Sequence, residues 1–154
     1  MEQSLELRPI QEISPKDVRN YILDVEEKMI NHPMSLNGAE LKAAVPTSHR
    51  FCDGMYIREC EIKAGLAVVG MIHRHEHPVF LMKGSARVLT ESGGVEDLIA
   101  PYYGVSPALT KRLVIALEDT VWVTTHLNPD NCKNVAELEK RLVAEKYEDI
   151  EGES

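Results

Sequence analysis

Three histidines recur at every second position between Gly70 and Gly84: His73, His75 and His77. Because successive side chains of a strand alternate between its two faces, an extended segment would point all three imidazoles the same way. Neutral imidazole is a good ligand for several transition metals, and three imidazoles can hold a metal while leaving a coordination position open. The spacing therefore predicts a site for a divalent transition metal, with zinc, iron, manganese or nickel as candidates.

All three rings can reach one metal only if the strand bends. On a straight strand, side chains four residues apart lie about 13 Å apart, which is too far for one metal at about 2.1 Å per bond. A bend near Pro78 would bring them together, but one adjacent pair plus a donor from another strand is simpler. His126 is the expected outside donor, and Glu59 or Glu61 could supply a carboxylate. The alternative is that the histidines only form hydrogen bonds inside a polar interior.

A second candidate site lies in the stretch that contains Ser106, Thr110, Lys111 and Arg112. It offers two hydroxyls, an ammonium and a guanidinium, and a guanidinium matches the geometry of phosphate and carboxylate groups. In a chain of net charge -8, a local pair of cations predicts a small anionic ligand. The alternative is a solvated turn whose cations pair with the acidic residues 118–119.

Two large aromatic residues, Tyr56 and Trp122, could stack on such a ligand, although large aromatics are more often core residues. No catalytic acid or base is assigned. His75 or His77 could transfer protons, because histidine titrates near neutrality. The order of residues indicates no Ser-His-Asp or Cys-His set.

The bulk composition is that of one ordinary globular domain. The 154 residues are 44% hydrophobic and 27% charged. The negative net charge disfavours nucleic acid and anionic membranes as partners. Three cysteines without a CxxC pair indicate reduced thiols. The N-terminus lacks the pattern of a signal peptide, and no apolar run approaches the roughly 20 residues of a membrane span. We therefore expect a cytoplasmic protein.

The local patterns predict a β-rich chain between two helices. Helical periodicity predicts a helix over about residues 15–30, with Ser14 as its N-cap, and a second over about 135–147, before a frayed acidic tail at 148–154. Short strands separated by turn residues fill the chain from Met55 to about residue 127, with a turn at Gly84 and the last strand over Thr120–Leu127. This pattern favours a sandwich or barrel. The expected organisation is an N-terminal arm and helix (1–50), a barrel (51–128) and a C-terminal helix with its tail (129–154), all in one structural domain.

The stretch around the histidines resembles the cupin superfamily. The residues that carry the resemblance are Gly65, the His73-x-His75 pair, Gly84, Gly104 and the Ser-Pro pair at 106–107. The likeness covers about residues 51–127. It implies an all-β fold, a cupin-type double-stranded β-helix (jelly-roll) barrel with flanking N- and C-terminal helices.

The sequence departs from the cupin pattern at two ligand positions. His77 stands where the first motif usually has a glutamate, and Lys111-Arg112 stands where the second motif usually has a histidine. The ordinary site of a cupin dioxygenase or isomerase is therefore not carried over to this chain.

A narrower resemblance is to small, largely uncharacterised cupin-like proteins of bacteriophage genomes. The phrases at residues 53–59, 106–112 and 116–126 carry it. It implies a single-domain cupin in the cytoplasm of a host cell.

Three functions follow as expectations. The first is capture of a small anionic molecule of the nucleotide or sugar phosphate class, with or without a metal, one use being sequestration of a host signalling molecule. The second is a metal-dependent enzyme that activates water or dioxygen. The third is a structural module of a virion or assembly. Because the terminal helices and the N-terminal arm carry apolar stripes, we also expect a homo-oligomer, a dimer or higher.

Overall fold

The computed structural model describes residues 14, 17–33, 35–36 and 38–152. The predicted N-terminal arm at residues 1–13 and the first residues of the predicted helix, 15–16, lie outside these ranges. No helix in the described ranges is long and apolar enough to cross a membrane.

The described chain consists mainly of short antiparallel strands. The helices are α1 (Val18–Ile30), α2 (Gly38–Ala44) and α3 (Val135–Leu142), followed by a 3-10 helix at Tyr147–Ile150. The strands are β1 (Thr47–Cys52), β2 (Met55–Ile62), β3 (Ala67–Val69), β4 (Ile72–His73), β5 (His77–Lys83), β6 (Ser85–Thr90), β7 (Gly94–Ile99), β8 (Tyr102–Ser106), β9 (Arg112–Ala116), β10 (Thr120–Leu127) and β11 (Val143–Ala144).

Two antiparallel sheets pack face to face. Sheet A has the strand order β1-β2-β10-β5-β8, and sheet B has the order β3-β9-β6-β7. Neighbours in the sheets are mostly distant in sequence, as in a jelly roll. The main core lies between the sheets and includes Leu81 and Trp122 from sheet A with Ala86, Val88 and Ala116 from sheet B. This arrangement confirms the predicted all-β barrel with flanking helices.

Strand β10 shows how the sequence pattern positions side chains. Its residues alternate regularly, with Thr120, Trp122, Thr124 and His126 buried and the residues between them less buried. Since strand side chains alternate between two faces, the buried set points between the sheets. The inner face of sheet A therefore contains polar side chains as well as core residues.

Gly84 forms the turn between β5 and β6. Its φ is +79°, in the left-handed region that favours glycine. A Cβ at this position would overlap the backbone carbonyl of Asp119. The predicted turn therefore needs glycine for its conformation and for the close approach of the neighbouring backbone.

Helix α1 covers the outer face of sheet B. Its buried side chains, among them Val18, Ile22 and Val25, pack against Leu89 and Leu113. Burial of each such side chain contributes about 1.5–3 kcal/mol. The apolar stripe that led us to expect an oligomer is thus covered within the chain, so it gives no reason for one.

The first helix begins later than the pattern predicts. Its N-cap is Asp17 and not the predicted Ser14. The backbone N–H of Asp17 donates to the carbonyl of Ser14 over 2.9 Å, and the Ser14 hydroxyl donates to the Asp17 carboxylate over 2.7 Å. These two bonds form a turn before the helix and occupy the side chain that was expected to cap it.

The C-terminal region differs more from the prediction. Helix α3 ends at Leu142, because Val143 and Ala144 form β11 and pair with His73 and Ile72. Residues 148–150 of the tail expected to be frayed belong to the 3-10 helix, and Ile150 is 6% exposed. A helical pattern was overridden here by pairing with a distant strand, since tertiary context outweighs weak local propensity.

Candidate functional site

One end of sheet A carries a row of functional side chains on its inner face. Across β2 and β10, Tyr56 lies opposite His126, and across β5 and β8, His77 lies opposite Ser106. The ring centroids of His77 and His126 are 4.7 Å apart, and those of Tyr56 and His126 are 5.9 Å apart. The fold thus brings residues from four strands into one row.

His73 reaches this row because the chain bends. The segment is not continuously extended, because it breaks at residues 74–76, between β4, which ends at His73, and β5, which starts at His77. The bend brings the ring centroids of these two histidines to 4.4 Å. His73 is held from both sides, since its N–H donates to the carbonyl of Thr110 over 3.1 Å and its strand pairs with Val143.

The three histidines form one compact cluster. His73, His77 and His126 each offer a ring nitrogen, and these nitrogens lie within 4.8 Å of one another. His75 lies outside this cluster with an exposed side chain, because the bend ends the alternation that would have aligned it. Its backbone carbonyl accepts a hydrogen bond from Nδ1 of His77 over 3.0 Å. His75 thus orients a neighbouring ring through its backbone.

The electrostatics keep the cluster neutral. Burial above all, together with the charge of His77 and that of Arg112, lowers the pKa of His73 to about 2. Burial also lowers the pKa of His126 to about 3, with the charge of His77 as the next cause. The pKa of His77 is lowered mainly by burial. All three imidazoles are therefore unprotonated at neutral pH and have lone pairs available.

These residues fit a transition metal. In a tetrahedral site, bonds of about 2.1 Å place two nitrogen ligands about 3.4 Å apart, so the ring nitrogens need to approach by at most about 1.4 Å. The N–H that His77 donates to the carbonyl of His75 leaves an unprotonated Nε2, as is usual for histidine ligands. In the structure this Nε2 faces the Arg112 guanidinium at 3.4 Å, so a metal on it would replace that contact. In the described part of the chain, no carboxylate joins the cluster. Glu59 and Glu61 are placed by strand alternation on the outer face of β2.

A buried guanidinium lies beside the cluster. Arg112 is 9% exposed, its Nη2 donates to the Ser106 hydroxyl, and the same nitrogen lies 3.4 Å from Nε2 of His77. Its Cζ lies 5.6 Å from the ring centroid of Trp122. Burial lowers the pKa of Arg112 to about 10, so the side chain stays charged at neutral pH. Within the described ranges it forms an ion pair with no carboxylate.

Arg58 adds a second positive charge that the sequence analysis did not assign to the site. Its Nη1 donates to Sγ of Cys60 over 2.8 Å, and its charge contributes to the lowered pKa of His73 and of His126. The alternation of β2 was the available signal, because Arg58 lies between Tyr56 and Cys60 on the inner face.

The other predicted ligand-binding residues are placed differently. Lys111 is 2% exposed, and its Nζ lies 2.7 Å from Oε2 of Glu26 on α1. The hydroxyl of Thr110 donates to the carbonyl of Ala108. Lys111 therefore points toward α1 and away from the histidines.

The remaining two expectations are stacking of aromatic residues on a ligand and ion pairs between the cations at 111–112 and the acidic residues 118–119. Trp122 and Tyr56 are 7% and 1% exposed, and each is part of a hydrophobic cluster. The expected pairing of the cations at 111–112 with residues 118–119 does not occur. Asp119 pairs instead with Lys63, and Glu118 accepts from Ser85.

A cavity of about 360 Å³ lies elsewhere in the protein. It is lined mainly by apolar side chains between α1, α2 and the outer side of sheet B, including Val25, Leu41, Leu66 and Ile115. None of the clustered histidines lines it. Its apolar walls do not suit an anionic ligand.

Two solved structures that match with TM-scores of 0.50 support the fold. KdgF from Halomonas sp. matches with a TM-score of 0.50 and 16% identity, over 69% of this chain and 94% of that chain. Protein VPA0057 of unknown function from Vibrio parahaemolyticus matches with a TM-score of 0.50 and 10% identity, over 60% and 94%. A cupin superfamily protein from Desulfitobacterium hafniense DCB-2 matches with a TM-score of 0.47 and 14% identity, over 54% and 76%.

No protein-family model and no curated protein matches the chain. At 10–16% identity the likeness concerns the fold alone, so the activities of these proteins are not transferred to this chain. The predicted fold class, a jelly-roll barrel of the cupin type, is confirmed. The resemblance to bacteriophage proteins stays a prediction.

Proposed function

We propose that this chain binds a small anionic molecule in the barrel interior, assisted by a divalent transition metal on His73, His77 and His126. The observation that carries the proposal is the buried guanidinium of Arg112, which has no carboxylate partner in the described ranges. A buried charge without a counter-charge is unfavourable. A bound anion would provide that counter-charge next to the histidine cluster.

The chemistry of Arg112 favours phosphate or carboxylate groups. A guanidinium donates in a planar fork that matches both groups, and the Ser106 hydroxyl lies within reach of the same ligand. Nucleotides and sugar phosphates remain the proposed class on this basis. The burial of Trp122 and Tyr56 gives no support for a base stacked on them, so the phosphate group is the supported part of the ligand.

The donor set also favours particular metals. Three neutral imidazoles without a carboxylate suit zinc, iron or nickel better than manganese. When bound, such a metal supplies Lewis-acid chemistry. The carbonyl of His75 orients the ring of His77, and the Thr124 hydroxyl lies 3.0 Å from Nε2 of His126. These contacts hold two of the three rings in place.

Metal and anion should strengthen each other's binding. A metal on Nε2 of His77 would lie close to the Arg112 guanidinium, since the two nitrogens are 3.4 Å apart. The two positive charges repel each other, and an anion between them reduces that repulsion. By linkage, an anion that tightens metal binding is itself bound more tightly when the metal is present.

The test is calorimetric titration of nickel into metal-free protein, with and without inorganic phosphate. We expect one nickel per chain, loss of binding in His77→Ala and His126→Ala, and binding at least about tenfold tighter with phosphate, a coupling of about 1.4 kcal/mol. Arg112→Met should retain nickel binding and lose the phosphate effect.

Two matched controls accompany the titration. His32→Ala removes a histidine that follows α1 and lies outside the cluster, and Lys63→Met removes an exposed lysine. Both should behave as the wild type. Nickel binding that persists in both cluster variants would contradict the metal part of the proposal, and a phosphate effect that survives Arg112→Met would contradict the anion part.

A thermal-shift screen of nucleotides and sugar phosphates identifies the ligand class. A ligand at about 100 times its Kd stabilises the folded state by about 2.7 kcal/mol, which corresponds to roughly 5–10 °C for a chain of this size. The shift should be absent in Arg112→Met. If a ligand emerges, its identity tests the proposed use, sequestration of a host signalling molecule.

The second candidate function is a metal-dependent enzyme. The observation that favours it is the cluster of three neutral imidazoles, because three protein ligands leave coordination positions open. Incubation of each screening hit with nickel-, iron- or zinc-loaded protein, followed by NMR, distinguishes the two functions. Conversion of the ligand supports an enzyme, and recovery of the unchanged ligand supports capture. Absence of any metal or ligand response, together with a large assembly in light scattering, would favour the structural module.

A further inference from the structure

Two guanidinium groups face the barrel interior from opposite sheets. Arg58 lies on β2 of sheet A, two residues before the core residue Cys60, and Arg112 lies on β9 of sheet B, two residues before the core residue Val114. Because side chains two positions apart share one face of a strand, both arginines face the space between the sheets. The proposed function uses only Arg112, so the role of Arg58 is still unassigned.

The two guanidiniums are close to the same pair of side chains. Nη1 of Arg58 donates to Sγ of Cys60 over 2.8 Å, and Cys60 lies opposite Trp122 in the pairing of β2 with β10. Side chains that are directly opposite on neighbouring strands have Cβ atoms about 4.5–5.5 Å apart. Cζ of Arg112 lies 5.6 Å from the ring centroid of Trp122. One guanidinium thus approaches this pair from sheet A and the other from sheet B.

Both charges also border the histidine cluster. Arg58 lies opposite Thr124, whose hydroxyl is 3.0 Å from Nε2 of His126. Burial is the main cause of the lowered pKa of His73 and of His126, and the charges of His77 and of both arginines add to it. The two guanidiniums therefore act on the same histidines, although they come from different strands.

Neither guanidinium has a counter-charge in the described part of the chain. None of the ion pairs found there includes Arg58 or Arg112. The acidic neighbours of Arg58 on β2, Glu59 and Glu61, lie on the outer face of that strand. A buried charge is unfavourable unless it is paired. A ligand with a single negative charge would balance only one of the two cations.

We propose that Arg58 and Arg112 together bind one doubly charged phosphate group, so that the ligand is a phosphate monoester and not a diester. This inference rests on the proposed function and narrows its ligand class to sugar phosphates and to nucleotides with a terminal phosphate. A phosphate monoester carries about −1.5 to −2 charges at pH 7 and offers three acceptor oxygens. Two guanidinium forks can share these oxygens. A diester has a single charge and leaves one cation unbalanced.

The test compares two probes of the same shape and different charge, methyl phosphate and methyl sulfate. At about pH 8 methyl phosphate is doubly charged, whereas methyl sulfate has a single charge and the same three terminal oxygens. NMR titrations of the metal-free and the zinc-loaded chain follow the indole N–H of Trp122, the single tryptophan of the sequence. We expect methyl phosphate to bind at least about tenfold more tightly, because it gains a second charge-assisted contact.

Variants of Arg58 assign this preference to one side chain. Arg58→Met should weaken methyl phosphate binding at least about tenfold and bring it close to that of methyl sulfate. Arg58→Lys keeps the charge and should retain most of the preference. Arg50→Met is the matched control, because Arg50 is exposed on β1 and lies opposite Ile57, on the outer face of the same sheet. This variant should behave as the wild type, and backbone amide spectra establish that each variant is folded.

The results distinguish this inference from the proposed function. Equal affinity of the wild type for the two probes, or a preference for methyl phosphate that survives Arg58→Met, would overturn the role of Arg58 and leave Arg112 as the anion-binding group. Binding of neither probe, with or without zinc, would overturn the anion part of the proposed function and this inference with it. The comparison of probes in the wild type needs no variant to fold.

Discussion

Lys111 and Arg112 are adjacent in the chain and both are buried, at 2% and 9% exposure, yet their electrostatic surroundings are opposite. Lys111 points toward α1, where Glu26 lies 2.7 Å from its ammonium and the carbonyl of Glu145 accepts a further hydrogen bond. Arg112 begins β9 and points into the barrel, beside Ser106 and His77. In the described ranges, only the lysine has a carboxylate partner.

The charge of Lys111 has a carboxylate partner within the fold, whereas the charge of Arg112 has none in the described ranges. Alternation along an extended chain sends neighbouring side chains to opposite faces. The lysine charge is neutralised and links the barrel to α1 and the C-terminal segment. The arginine charge is held by neutral groups only, so it remains able to attract an anion. Two cations that look like one binding site in the sequence therefore have two separate roles.

The largest expected effect concerns the buried histidines beside Arg112, because burial and the neighbouring charges oppose their protonation. His73 and His126 have folded-state pKa values of about 2 and 3, whereas unfolded histidine titrates near 6.5. Unfolding near pH 5 therefore takes up about two protons. The stability from these residues is complete above pH 6.5 and is lost as the pH falls from there toward 3. Urea unfolding of metal-free protein across this range measures the loss.

A pair of variants isolates the cause of the acid sensitivity. His126→Gln should make the stability less dependent on pH between 6.5 and about 4, because one depressed titration is removed. His32→Gln changes a histidine outside the cluster and should leave the dependence unchanged. Equal pH profiles for the wild type and His126→Gln would show that the cluster is not the source.

The second prediction removes the partner of the lysine. Glu26→Gln leaves the Lys111 ammonium buried without a carboxylate, and we expect a loss of about 3 kcal/mol in the free energy of unfolding. The double variant Glu26→Gln/Lys111→Met should recover most of it, since no buried charge remains. Asp24→Asn is the matched control, because its pair with Lys28 is exposed and should contribute less than about 1 kcal/mol. Equal losses in Glu26→Gln and Asp24→Asn would contradict the distinction.

The smallest effect on stability is expected from Arg112→Met. This substitution removes a buried cation that has no carboxylate partner in the described part of the chain, so the free energy of unfolding should stay within about 1 kcal/mol of the wild type. The same variant should lose the effect of phosphate on nickel binding. A loss as large as that of Glu26→Gln would show that Arg112 is structural, like its neighbour.

Much of the fold could be predicted from local patterns. Strand β10 has the predicted limits, Thr120–Leu127, because alternating apolar residues and flanking turn residues are local signals. Gly84 was expected in a turn and has the positive φ that such a turn requires. The end of α3 was not predictable in this way. The pairing of Val143 with His73 joins residues 70 positions apart, and no local pattern reports it.

The residues of the candidate site could also be predicted only in part from local patterns. His73, His77 and His126 were among the candidates because their residue type suits a metal, and His75 was grouped with them by even spacing. The bend at residues 74–76 changed which side chains share a face. Arg58 was overlooked because its neighbour Glu59 offered a simpler ion pair, although the two lie on opposite faces of β2.

The sequence by itself determined the residue types of the site, the strand periodicity and the turns, since these depend on neighbouring residues and on the conformations that each residue tolerates. The tertiary structure decided which three histidines meet, which of two adjacent cations has a carboxylate, and which sheet face has a helix over it. Those outcomes depend on contacts between segments far apart in the chain. Their energies come from burial and from charges brought within a few ångströms, and both exist only after the sheets have packed.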